Sequence, residues 1–133
     1  MLENYIENFD PEKAIREVME KKGLNKTTAK ALMRKEIPEE GYFQKKIKEA
    51  VKKRYPSCYI VKIAQGAYSE GGIPDIMVIL EGHYFGFEVK RPVFGEPSEL
   101  QKKAIRKINA AGGTAAVVIW PEEAIKIIEE WRD

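Results

Sequence analysis

Apolar residues recur along the chain at two periods, and the order in which the periods alternate predicts a mixed α/β fold. Asp10-Pro11-Glu12 has the makings of a helix start: a capping acid, a proline in the first turn, and a carboxylate near the positive end of the dipole. That helix runs to Lys22, where Gly23 stops it. A second helix spans Lys26 to Glu36 and is ended by Ile37-Pro38. Residues 1–38 therefore read as a helical N-terminal extension with little apolar surface of its own, packing on the main domain or on a second subunit. From Glu39 to Tyr55, Phe43, Ile47, Ala50, Val51 and Arg54 return at three- and four-residue steps, which predicts an amphipathic helix.

The period then changes. Cys58 to Ile63 is rich in β-branched and aromatic residues and reads as a strand. A loop of glycine and serine from Gln65 to Gly72 leads to a second strand, Pro74 to Leu80. Glu81-Gly82-His83 turns the chain into a third strand, Tyr84 to Arg91, closing a hairpin. Ser98 followed by Gln101 is a capping box for a helix from Glu99 to Ala111, ended by Gly112-Gly113. Thr114 to Trp120 is mostly apolar, which predicts a strand buried on both faces. Pro121 opens a last helix with the stripe Ala124, Ile127, Ile128 and Trp131. The expected domain, residues 39–133, is thus helix, three strands, helix, strand and a C-terminal helix.

Composition narrows the setting. No apolar run approaches the roughly 20 residues that a membrane span needs, and Met1-Leu2-Glu3-Asn4-Tyr5 lacks a secretory pattern, so a cytoplasmic location and no membrane partner are expected. The single cysteine, Cys58, cannot form an internal disulfide and reads as a small core residue. A net charge of +2 says little about nucleic acid. Its placement says more, because basic residues gather at 45–54 and 102–107 while acids gather at 36–40 and 122–130. Such faces suit phosphate binding, and they are also what solvated helix faces look like.

Chemistry is indicated where carboxylates interrupt apolar strands. Asp75 precedes Ile76-Met77-Val78-Ile79-Leu80, and Glu88 and Lys90 lie within Phe85-Gly86-Phe87-Glu88-Val89-Lys90. Alternation puts Glu88 and Lys90 on one face of the strand, with Phe85, Phe87 and Val89 on the other. A two-residue turn at Glu81-Gly82 places Asp75 opposite Glu88; a turn at Gly82-His83 places it opposite Lys90. Either register gathers all three on one face. Two carboxylates so close resist burial unless a cation compensates, and a hard divalent ion takes carboxylate and carbonyl oxygens, so the Val89 carbonyl is a further candidate ligand. His83, the only histidine, sits at the hairpin tip and reads as a turn residue; Trp120 and Trp131 read as packing.

The segments Gly72-Ile73-Pro74-Asp75, Phe87-Glu88-Val89-Lys90-Arg91-Pro92, Ser98-Glu99-Leu100-Gln101 and Ala110-Ala111-Gly112-Gly113 together resemble the VRR-NUC (virus-type replication-repair nuclease) family of the PD-(D/E)XK superfamily. The resemblance covers roughly residues 38 to 120. It implies a restriction-endonuclease-like α/β core and Mg²⁺- or Mn²⁺-dependent hydrolysis of DNA phosphodiesters, with Asp75, Glu88 and Lys90 as catalytic residues. It also implies a glutamine near the site, matched by Gln101, and a helical glutamate, matched by Glu40 with Glu39 as the rival. Expected metal ligands are Asp75, Glu88, Val89 and Glu40. Candidate DNA contacts are Tyr68 and Ser69 of the glycine-rich loop, Lys45 and Lys102 of the basic helices, and Arg91. Small stand-alone members look like phage or bacterial proteins that dimerise and cut branched DNA such as four-way junctions, so a homodimer acting on such DNA is expected here. Two other readings compete: a non-catalytic DNA-binding module built on the N-terminal helices, with Lys26, Lys30, Arg34 and Lys35 as its basic face, and an interaction arm formed by residues 1–38.

Overall fold

The computed structural model describes residues 1–64 and 71–133. Its elements follow in the order α1 (Pro11–Lys22), α2 (Lys26–Glu36), α3 (Glu40–Arg54), β1 (Tyr59–Lys62), β2 (Ile76–Leu80), β3 (His83–Val89), α4 (Glu99–Ala110), β4 (Thr114–Val118) and α5 (Pro121–Arg132). The helix ends are set locally. Asp10 accepts from the amides of Glu12 and Lys13, Asn25 from that of Thr28, and Gly23 ends α1 with a left-handed φ of 65°. At α4 the capping box forms in both directions: the Ser98 hydroxyl accepts from the Gln101 amide at 3.2 Å, and Gln101 Oε1 accepts from the Ser98 amide at 2.8 Å.

The four strands form one sheet in the order β1-β2-β3-β4, with the first two pairings antiparallel and the last parallel. A parallel neighbour requires a crossover, which α4 supplies. Leu80 pairs with His83, so Glu81 and Gly82 alone make the hairpin turn, both in the left-handed region that a tight two-residue loop demands. Ile76, Val78 and Leu80 of β2 and Phe85, Phe87 and Val89 of β3 join Phe43, Ile47 and Val51 of α3 and Ala124 and Ile128 of α5 in one core. On the opposite face α4 lies over β3 and β4, where Gly113 fits between Ile108 and Tyr84.

The extension contributes to the same core. Ile15, Met33 and Ile37 are buried with the sheet residues, and Trp120 donates its Nε1–H to the Leu2 carbonyl at 3.1 Å while Tyr5 and Phe9 meet its ring edge-on. Residues 1–38 thus pack on the main domain within the same chain. Of the basic residues expected to face DNA there, Lys26 pairs with Glu12 at 3.2 Å and Arg34 lies over the Phe94 ring. One strand expectation is corrected: β4 is an edge strand, and Val117 is 39% exposed rather than buried on both faces, because no further strand flanks it on its outer side. No helix among the described residues is long and apolar enough to cross a membrane.

Candidate active site

The hairpin register decides which acids meet. With Ile76 paired to Phe87, the next position outward sets Asp75 beside Glu88, on the face turned away from the α3–α5 core. The Asp75 carboxylate is fixed there by the Val89 amide, which donates to its Oδ2 at 2.9 Å. Since the N–H and carbonyl of a strand residue share one edge, the Val89 carbonyl also turns toward β2 and the Asp75 end of the hairpin. The backbone arriving at Asp75 is held from the other side by α4. Gly72 has a φ of 86°, and a Cβ there would lie 2.4 Å from the Leu100 carbonyl oxygen, so only glycine lets the first turn of α4 seat so close.

Glu88 is the anomaly of the structure. It is 1% exposed, and neither carboxyl oxygen meets a hydrogen-bond partner among the described residues. Burial pushes its pKa far above the usual carboxylate range; the adjacent Asp75 carboxyl adds to this, Lys90 offsets part of it, and Glu40 adds a little more. A buried, unpartnered carboxylate is costly.

Lys90 and Glu40 close the arrangement. Lys90 continues β3 on the Glu88 side, is largely buried, and places Nζ 3.9 Å from Glu40 Oε1. Glu40 is the first residue of α3. Burial raises its carboxyl above the ordinary value, Asp75 raises it further, and Lys90 and Lys62 pull it back. Glu39, one residue earlier, is rotated out: its side chain is 85% exposed and only approaches Arg91 Nη2, at 3.9 Å. Of the two glutamates, Glu40 is the one that shares the field of Asp75 and Glu88.

Other expected site residues lie elsewhere. Arg91, read as a DNA contact, is turned inward: Nε donates to the Pro38 carbonyl at 3.0 Å and Nη2 to the carbonyls of Ile37, at 2.7 Å, and Arg34. It caps the C-terminal end of α2, whose last carbonyls have no helical partner, and ties the segment leading to Glu40 to the residue after Lys90. Its cation also faces the Phe94 ring. We expect Arg91→Ala to destabilise the fold by about 2–4 kcal/mol, since charge-assisted bonds are lost and carbonyls are left unpaired. Arg91→Lys should recover little of this, because a single ammonium cannot reproduce the fork. Urea titration checks both, and unchanged midpoints would remove the capping role.

Gln101 spends its Oε1 on the helix cap, which leaves only its amide N–H group to face a ligand. Lys45 and Lys102 are exposed on their helices, near Glu49 and Glu99 respectively. Tyr68 and Ser69 lie outside the described residues. His83 stacks on Trp131 and shares a 2.8 Å hydrogen bond with the Thr114 hydroxyl, and Cys58 is buried, so both are packing residues. The sequence reading missed Lys62, which acts electrostatically on Glu40 from the end of β1. The signal that could have found it is the antiparallel pairing of β1 with β2, which sets Lys62 across from Ile76 and next to the Asp75 end of the sheet.

No family model matches the sequence, and no curated protein does. Solved structures do. A "VRR_NUC domain" is 27% identical with a TM-score of 0.53, over 69% of this chain and 96% of that one. A "VRR_NUC domain protein" shares the fold at 18% identity and a TM-score of 0.56, over 71% of this chain and 88% of that one. The mixed sheet flanked by helices, with its acidic hairpin, defines a nuclease-type DNA-processing domain. Within that class its similarity is to VRR-NUC domain proteins.

Proposed function

We propose that the protein is a divalent-metal-dependent endonuclease that hydrolyses DNA phosphodiesters at Asp75, Glu88 and Lys90. The observation that carries this is the Glu88 carboxylate, buried beside Asp75 with neither oxygen partnered among the described residues. Among the described residues no group of three or more acidic, histidine or cysteine side chains stands assembled around one point. The donors that could hold a cation are the carboxylates of Asp75 and Glu88 and the Val89 carbonyl, with Glu40 at the margin. This all-oxygen set suits Mg²⁺ or Mn²⁺, which commonly keep water and substrate phosphate in their remaining positions.

When bound, such an ion supplies Lewis acidity, lowering the pKa of a water and offsetting charge that builds on the phosphate. The chain's own groups do the rest. Asp75 is held by the Val89 amide through one carboxylate oxygen, Oδ2, which leaves the other for a cation. Lys90, on the Glu88 side of the strand, donates to the attacking water or to a phosphoryl oxygen. Glu40 draws the Lys90 ammonium toward the site and limits its wandering. Gln101 offers its remaining amide donor from the first turn of α4. In the resemblance to small stand-alone VRR-NUC proteins lies the support for branched DNA, including four-way junctions, as substrate and for a homodimer as the working form.

The test is a cleavage panel of single-stranded, duplex, flap and four-way-junction DNA with Mg²⁺, Mn²⁺ or EDTA. Cutting of branched DNA that requires a divalent ion is the expected result. Absence of cutting with every ion, or cutting undiminished by EDTA, would overturn the proposal.

A further inference from the structure

A cavity of about 230 Å³ opens beside the acidic site, in the seam between α3 and β1, lined by Gly41, Gln44, Lys45, Lys48, Lys62 and Ile76. Its chemistry is one-sided. Lys48 and Lys62 have no acidic partner within ion-pair distance among the described residues, and no carboxylate lines the cavity. Gln44 lines it from the buried face of α3 and is 8% exposed. Gly41 adds no side chain to the lining.

The position is as informative as the composition. Glu40, Gln44 and Lys48 follow one another at four-residue steps, so they stand in a row on one face of α3, each about 6 Å further along the helix axis. Lys62 lines the same cavity from β1, where it pairs across the sheet with Ile76, the residue after Asp75. Beyond the cavity the seam continues past Lys45, Lys48, Lys52, Tyr59 and Ile60 into a second, larger hollow. Lys52 is not available there, since its Nζ is bound to the Cys58 carbonyl at 2.7 Å.

We propose that Gln44, Lys48 and Lys62 form a second phosphate subsite, which holds the backbone phosphate adjacent to the one that is cut. Two ammonium groups without an acidic partner among the described residues, and an amide donor, arranged one helical step from the acidic centre, recognise a phosphodiester and read no base. The subsite rests on the nuclease reading, and it gives the DNA strand a direction: away from Glu40 along the α3–β1 seam. Holding the neighbouring phosphate there fixes the scissile one against Asp75, Glu88 and Lys90.

Binding is measured in EDTA by the anisotropy of a fluorescein-labelled four-way junction across a salt series. Lys48→Ala/Lys62→Ala is expected to weaken binding about tenfold near 0.1 M salt and to reduce the slope of log K against log salt by about 1, as for one lost phosphate contact. Gln44→Glu, which sets a carboxylate against the phosphate, should weaken binding to a similar extent. Lys21→Ala/Lys126→Ala, on α1 and α5, removes the same charge from other surfaces and should have little effect. Cleavage then maps the phosphate. A methylphosphonate next to the cut position should slow the wild type and cause no further loss in Lys48→Ala/Lys62→Ala. Equal losses from the two lysine pairs, or methylphosphonate and lysine penalties that multiply, would overturn the subsite. Failure of the nuclease reading would show instead as no cleavage of any substrate, with the binding comparison still decisive for the cavity.

Discussion

Asp75→Asn protein is expected to fold as the wild type does and to cut DNA more slowly by a factor on the order of a thousand or more. The two halves of this result come from different atoms. An asparagine keeps an oxygen where Asp75 accepts the Val89 amide, so the 2.9 Å bond that locks the hairpin end is retained. What disappears is the negative charge facing Glu88, and with it one of two carboxylates able to hold a cation. Loss of several kcal/mol of transition-state stabilisation gives a thousandfold or larger deficit at about 1.4 kcal/mol per decade. Asp75→Ala separates the effects, because it also orphans the Val89 N–H and should cost about 1–3 kcal/mol of stability beside the same loss of cutting. Lys90→Ala should abolish cutting while leaving DNA binding close to wild type, since one donor to a developing charge is worth about 10²–10³ in rate. Single-turnover cleavage together with thermal melts checks all three. Asp75→Asn protein that melts normally and still cuts at a tenth of the wild-type rate would remove Asp75 from the chemistry.

That the hairpin could be anticipated at all follows from how locally it is encoded. Gly82 permits the left-handed turn, the turn fixes the register, and the register leaves Asp75 no face but that of Glu88. Helix ends were legible for the same reason: Asp10, Asn25 and Ser98 act on amides two or three residues away. Whatever depended on distant partners was hidden. Arg91 reads as one more cation near a nuclease motif, and only the tertiary fold shows its bonds to carbonyls of Arg34, Ile37 and Pro38. Val117 is exposed because β4 falls at the sheet edge, a matter of strand order that no local pattern in β4 carries. The choice between Glu39 and Glu40 turned on the helix phase at the start of α3, where one residue of rotation moves a carboxylate from solvent to Lys90.

Glu88→Gln should make the metal-free protein more stable while it removes cleavage. In wild type a carboxyl group is enclosed with no donor to either oxygen among the described residues and with Asp75 beside it, and burial, then Asp75, raise its pKa from 4.5 to about 9. The sign of the linkage follows. Between those two values the folded protein holds a proton that the unfolded chain has released, so stability falls as pH rises through that window, by up to about 1.4 kcal/mol per pH unit, and is level below it. Glutamine has nearly the same shape, carries no charge and can donate to the Asp75 carboxylate, so the slope vanishes and about 1–3 kcal/mol is recovered near neutral pH. For a chain of this size that is a rise in Tm of about 3–10 °C in EDTA. A divalent cation reverses the order. It favours the ionised form and stabilises only the folded wild type, by an amount that grows with its concentration over Kd and with pH, whereas the glutamine variant should respond weakly. Melting curves of both proteins at several pH values, with EDTA and with Mn²⁺, read each of these effects. If Glu88→Gln melts below wild type in EDTA, or if metal-free wild type is equally stable at about pH 5 and pH 8, then Glu88 is an ordinary paired carboxylate and the buried charge does not set the behaviour of the site.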